Sequence, residues 1–373
     1  MHATPNPPPA QRKDRLALIA DARRAVMHDG GPTSTTAVEP WIERSWRRCL
    51  ASGHRPEQRL TFDTVSAPAL RRTTEHNRAL VEAARPVLDT LARAIANTRY
   101  FAILTNAHGV VVDVNGRIDR SDRRADLITR IGVDLSESSV GTTAICAALS
   151  ERQPVWLHRG EHFFADTSVY SCAGAPVFGP DGACVGMLDL TGIEAIERPE
   201  LRHLVAQSAR SIENALMLRQ PHSLMVRLNW PGRALGDETD GLVCLDADGW
   251  VTGANPTARQ MASQLGAASR DRVHGSEVFA MPFEMLFDAS RKSGQSMEVP
   301  LWSGLRLQAI AQRSGSAPTT APVTGQVQLK DVEIAMIRKA VADARGNVQQ
   351  AARALGISRA TVYRRLGRRP PAP

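Results

Sequence analysis

The sequence has no GxxxxGK[ST] stretch, so it offers no backbone cradle and no lysine for nucleoside phosphates. No uninterrupted apolar run approaches the roughly eighteen residues that a membrane-spanning helix needs, and no membrane contact is expected. Cysteine is sparse: Cys49, Cys146, Cys172, Cys184 and Cys244 form an odd, scattered set with no CxxC spacing. With no secretory signal pattern ahead of them, they read as free thiols in a reducing cytoplasm. His158, Glu161, His162 and Asp166 cluster along the chain, but their spacing fits no strong metal-ligand template. No cofactor is expected. No repeat recurs at solenoid period.

What remains is ample for folded domains. A length of 373 predicts two or three of them, and 43% apolar residues suffice for packed cores. The formal net charge of +8 is unevenly placed. From Leu329 onward ten basic residues stand against three acidic ones, so nearly the whole excess belongs to the tail. That favours a polyanionic partner for the tail.

Within the tail, Val348, Ala351, Ala352 and Leu355 fall on one helical face, and Gly356 can end that helix with φ > 0. Ser358 is placed to cap a second helix, in which Val362 and Leu366 form the buried stripe. Its opposite face carries Ala360 and Arg364, flanked by Arg359, Thr361, Tyr363 and Arg365. Two short helices with a basic outer face predict a helix-turn-helix that reads double-stranded DNA.

Taken in order, residues 1–38 read as a Pro-rich arm with a basic helix over about 15–28, and 39–65 as a helical segment. There Trp41, Ile42, Trp46 and Leu50 share a face. A helix from Ser66 carries a seam of Leu70, Thr74, Asn77, Val81, Ala84, Leu88, Leu91 and Ile95, interrupted by Pro86, where a kink or two abutting helices are expected. The seam packs either on the chain's own next domain or on a second copy, with Asn77 then fixing register. From Tyr100 the period switches to two, and strands and hairpins alternate with helices up to a closing helix from Pro199. These make an α+β domain over 66–218. A smaller α+β module is expected over 235–312, opening with an Asp248-Gly249 hairpin. A Ser/Pro/Thr/Gly linker over 313–328 leads to the all-α tail, 329–373.

Several motifs in this order resemble AcoR-type (acetoin catabolism) regulators. They are Glu43 to Cys49 with Gly53, Ala84 to Leu88, Leu135 to Ile145, Gly160 to Phe163, Ser171 to Pro176, and Pro180 to Gly192. The resemblance implies a GAF sensor domain over 66–218, a PAS-like module after it and a Fis-type helix-turn-helix at the tail. It departs from the family at Thr143, where relatives usually have Asn. It also departs at the linker, which sits where AcoR-type activators carry an AAA+ ATPase. With no GAFTGA loop either, the expectation is a regulator that acts by occupying DNA, without ATP hydrolysis.

Two sets of site residues follow. Likeness to Fis implies DNA contacts at Asn347, Gln349, Ser358, Arg359, Thr361, Tyr363 and Arg364, and Arg365 lies on the same basic face. Chemistry suits Arg359 to guanine O6 and N7, while Asn347 and Gln349 suit phosphates. In the GAF segment Trp156, His158, His162, Phe163, Ser171, Cys172 and Asp189 are candidates for a small-molecule pocket, with Phe164 beside them. The expected partners are therefore DNA, an unidentified effector and a second copy of the chain, with RNA polymerase a further candidate. Two alternatives stand beside this reading. One is a modulator that heterodimerises with a full-length relative through the seam. The other is a thiol redox enzyme with a Cys172–His162 pair.

Overall fold

In a computed structural model of the chain, the structure describes residues 15–27, 38–266, 272–291, 294–314 and 348–354. Residues 1–315 and 316–373 form two compact units.

The first unit opens with α1 (Arg15–Met27), which buries only Ile19, Ala22 and Val26. In α2 (Pro40–Ala51), proline occupies the first turn, where its missing N–H costs nothing. Its spacing of Trp41, Ile42, Ser45, Trp46 and Cys49 buries one face. Next come α3 (Ala67–His76) and α4 (Arg78–Ala94). The expected interruption at Pro86 falls instead at Asn77, whose side-chain amide donates to Thr73 O at 2.7 Å. Pro86 sits inside a continuous α4. A helical proline strips the carbonyl four residues back of its donor. That carbonyl, Glu82 O, accepts instead from Arg219 Nη2 at 3.3 Å, while Arg219 Nη1 holds the Glu82 carboxylate at 2.8 Å. The C-terminal half of the seam is spent internally: Ala84, Leu88, Leu91 and Ile95 pack in the chain's own core beside Leu80, with Val81 half-buried against it, while Leu70 is half-buried and Thr74 exposed.

That core covers one face of an antiparallel sheet built from β1 (Tyr100–Asn106), β2 (Val111–Asn115), β3 (Val155–His158), β4 (Tyr170–Phe178) and β5 (Cys184–Ile193), in the order β2-β1-β5-β4-β3. With α4 on this face lies α8 (Leu201–Arg219). The other face is covered by α2, by α5 (Arg123–Ile128), α6 (Glu137–Val140) and α7 (Ala144–Glu151), and by the Phe163-Phe164 pair. Because both faces are covered, β1 is buried at all seven positions and shows no polar alternation.

A second five-stranded sheet follows, of β6 (Leu224–Asn229), β7 (Gly241–Leu245), β8 (Val251–Ala254), β9 (Met297–Pro300) and β10 (Arg306–Arg313), in the order β8-β7-β6-β10-β9. Position by position it matches the first sheet, except that the central strand is supplied by the first strand in the chain rather than the last. This strand, β6, lies ahead of the expected start at 235. One face packs against α9 (Pro256–Met261), α10 (Gly275–Val278) and α11 (Glu284–Ala289); on the other, Met225, Leu242 and Cys244 meet Met217 of α8. The two sheets thus share α8, and the fold is α+β.

Of the second unit, the described part is α12 (Val348–Ala354), in which Ala352 is buried. The helices expected over 329–344 and 358–366 lie outside the described residues.

Candidate functional site

A cavity of about 30 Å³ lies against the α2/α7 face of the first sheet, and every residue lining it is buried. Its polar wall comes from the sheet. In β5, Asp189 stands between Ile103 of β1 and Gly174 of β4, and two residues on, Thr191 points the same way. Cys172 of β4 faces Thr191 across the strand pair. Gly174 lets α7 come close, since a Cβ there would sit 2.9 Å from Ala144 O. The opposite wall holds His162 from the loop after β3, Thr143 capping α7, and the apolar Phe62, Leu135 and Val140. Gly141, at φ +64, turns the chain under Phe164, whose ring leaves no room for a side chain.

The polar groups form a directed chain. Cys172 Sγ lies 3.4 Å from Thr191 Oγ1, and Thr191 Oγ1 donates to Asp189 Oδ2. Asp189 Oδ1 has no partner. Burial pushes the Asp189 carboxyl up to about 7 against the bond from Thr191. His162 Nδ1 lies 2.9 Å from Arg159 O, which can only accept, so Nδ1 carries the proton and Nε2 is a bare acceptor. That Nε2 is buried without a partner, and burial pulls the ring down to about 4. Two unmatched buried polar atoms on one cavity are costly in a folded protein.

Strand alternation divides the candidates named from sequence. His162, Cys172 and Asp189 line this cavity. Trp156, His158 and Ser171 lie on the opposite face, toward α8. There Trp156 stacks on His158 at 6.3 Å, and His158 Nδ1 pairs with Ser171 Oγ at 2.8 Å. Trp156 borders a separate open cleft of about 890 Å³ with Arg202 and Arg210 of α8. Phe163 and Phe164 are packing residues, fully buried and edge-to-face at 4.9 Å. The residues missed are Thr191, Thr167 and Tyr170. Counting by two from Asp189 and from Cys172 finds Thr191 and Tyr170.

Of the DNA set, Gln349 lies on the exposed side of α12. Asn347, Ser358, Arg359, Thr361, Tyr363, Arg364 and Arg365 lie outside the described residues. Among the described residues no three His, Cys, Asp or Glu side chains group to hold a metal. Nor, among them, is any helix long and apolar enough to cross a membrane.

The sequence signature described as "MimR, N-terminal domain" matches residues 19–214, more than half of the chain. The chain belongs to this family. Members of the family share the stretch from within α1 through most of α8, which contains the whole cavity. The signature "Bacterial regulatory protein, Fis family" matches residues 328–368 and so brackets every DNA candidate. Among curated relatives, the acetoin catabolism regulatory protein of Cupriavidus necator is 30% identical over 288 residues, covering 75% of this chain and 42% of its own length. The propane 2-monooxygenase operon transcriptional activator MimR of Mycolicibacterium goodii is 29% identical over 52% of this chain and 33% of its own. The acetoin dehydrogenase operon transcriptional activator AcoR of Bacillus subtilis is 23% identical over 60% and 37%. The chain therefore spans well under half the length of these relatives. Among solved structures, the E. coli DhaR(N)–DhaL complex is 14% identical, covers 74% of this chain and all of that one, and gives a TM-score of 0.45.

Proposed function

We propose that this family member is a DNA-binding transcription regulator whose first sheet, a GAF-type sensor, takes a small molecule into the cavity on β5. The observation that carries the reading is the pair of buried polar atoms without a partner, His162 Nε2 and Asp189 Oδ1, on one cavity. They call for an uncharged effector with a hydroxyl, able to donate to Nε2 and to accept from the Asp189 carboxyl, and a compact body, since a buried ion would be costly. The relatives' names concern acetoin catabolism and propane oxidation, both matters of small, largely apolar molecules. The Fis-family tail supplies the DNA contacts, with Arg359 and Arg364 reading bases and Asn347 and Gln349 holding phosphates. Two copies on a pseudo-palindrome would place half-sites about one helical turn apart. With no phosphate-binding loop in the sequence, occupancy of DNA, rather than ATP hydrolysis, is the output.

Heterodimerisation through the seam would be left with its Leu70–Thr74 end, because Ala84, Leu88, Leu91 and Ile95 of α4 pack in the chain's own core. A thiol enzyme needs a depressed thiol, whereas burial drives Cys172 well above its usual range and leaves His162 neutral.

The test starts with DNA selection by the purified chain. Its affinity for the selected site is then measured with a panel of small alcohols, diols and ketols, acetoin among them. One member should shift the affinity about five-fold or more, the usual scale of coupling between sites, and Asp189→Ala or His162→Phe should remove the response. A panel without effect, or variants that respond like the parent chain, would refute the sensor assignment.

A further inference from the structure

The wall that carries His162 is not held by the sheet. Residues 160–163 follow β3 and join no strand, so their carbonyls need other donors. All four find them on the N-terminal helices. Arg23 of α1 donates from Nη1 to Gly160 O at 3.2 Å and to His162 O, and from Nη2 to Phe163 O. Trp46 of α2 donates Nε1 to Glu161 O at 2.9 Å. At the other end of α1, Arg15 pairs with the Glu161 carboxylate at 3.0 Å and with Glu197 at 2.7 Å. Arg23 also lies over the Trp46 ring at 5.9 Å.

From this we infer that Arg23 is a positioning residue for the effector site and that α1 is a strap across the cavity's movable wall. The inference rests on the proposed reading of the cavity. Three points support it. The cavity, at about 30 Å³, is far below the ~300 Å³ at which ligand pockets begin, so an effector enters only if a wall gives way. The wall able to give is the one outside the ladder, which also carries the unmatched Nε2. And α1 is lightly held, with Ile19, Ala22 and Val26 as its buried side chains. One guanidinium bridging three carbonyls is thus a large share of its grip. Arg23 is partly buried, and desolvation lowers its pKa, so it has traded water for those carbonyls. Lysine cannot replace it, since a single ammonium lacks the planar fork that spans three acceptors. Whatever draws α1 away frees the His162 wall, and whatever fills the cavity presses on α1.

Cys172 gives a readout that needs no effector, because its thiol lines the cavity and is reachable only when the wall opens. Cys244, fully buried in the second sheet, reports general loosening. The full chain is labelled with methyl methanethiosulfonate and each thiol followed by mass spectrometry. In Arg23→Gln, Cys172 should react about tenfold faster or more while Cys244 is unchanged, the signature of local opening. Arg23→Lys should recover only part of the protection. A paired Ile19→Ala/Val26→Ala variant, which weakens the strap without touching Arg23, should accelerate Cys172 in the same way. Equal Cys172 rates in all variants, or a parallel rise at Cys244, would overturn the strap. A labelling result as expected beside a silent metabolite panel would sink the effector reading alone.

Discussion

Asp189 and His162 are both driven to their neutral forms by burial, but these shifts act on stability in opposite senses. A third group, Glu213 of α8, is buried, accepts from Phe178 N at 3.0 Å and is pushed up to about 8. For a carboxyl raised in the fold, the native state keeps its proton where the unfolded chain has lost it, so stability falls as pH rises from the unfolded value to the folded one. For Asp189 that window runs from about 4 to about 7, and for Glu213 from about 4.5 to about 8. His162, pulled down to about 4, binds its proton later than the unfolded ring, so it adds stability as pH rises from about 4 to about 6.5. The histidine opposes the carboxyls at low pH and is spent above 6.5. Stability should therefore decline from pH 6.5 to 8, by about 1–3 kcal/mol at the ~1.4 kcal/mol per unit that a pKa shift carries. Glu213→Gln should flatten most of that decline and raise the thermal midpoint at pH 8. Melts of both chains across this range check it, and an undiminished slope in the variant would show the charge on Glu213 to be otherwise compensated.

At the scale of elements, the β4–β5 hairpin ties the cavity to the second sheet. Its turn presents Pro180 O to Ala254 N at 2.9 Å and to Arg259 Nη2 at 2.8 Å. Arg259 Nε also holds Ala254 O at 3.1 Å, and Nη1 holds Leu265 O. One side chain thus satisfies three carbonyls, from the β4–β5 turn, from β8 and from the turn after α9, and Arg259→Ala should cost about 1–3 kcal/mol. Amide exchange should quicken over 179–183 and 254–266 while β1 is unaffected. Unchanged exchange there would mean that Ala254 alone secures the turn. Elements of this kind were legible in sequence where the signal is local. Both hairpins, with turns at Asn106 to Gly109 and Gly179 to Gly182, stand where alternation and turn residues put them. The central strand β6 is not legible, because β7 follows it only after the long loop 230–240 and its other partner β10 lies some eighty residues on, so no tight turn announces either pair. Propensity alone puts the α3/α4 break at Pro86. A tertiary donor, Arg219, lets the proline stay helical. In the cavity, residue chemistry alone gathered Trp156, His158 and Ser171 with Cys172 and Asp189. Parity along β3 and β4 separates them, since residues two apart on a strand share a face.

At the scale of the whole molecule, the proposed function couples a small cavity to DNA binding. An effector shifts DNA affinity only by its unequal affinity for DNA-competent and incompetent arrangements of the chain. Such coupling is reciprocal by linkage, so under the proposed function the selected DNA site should tighten or weaken effector binding by the same factor. In the proposed reading the tail's part in this is separable, with charge and specificity assigned to different residues. Ten basic residues against three acidic from Leu329 onward make binding strongly salt-dependent, whichever site is read. Within that background Arg359 is proposed to read a base edge, and Arg368, beyond the second apolar stripe, to face phosphate. Arg359→Ala should cost about 1–3 kcal/mol on the selected site and relax discrimination at one base position, with non-specific binding much less affected. Arg368→Ala should weaken binding about equally on all sequences and lower the slope of log affinity against log salt by about 1. Titrations of both variants on selected and scrambled duplexes at several salt concentrations separate the two. Retained discrimination in Arg359→Ala, with equal salt slopes in both variants, would mean that sequence is read elsewhere in the tail and that Arg359 serves only as charge.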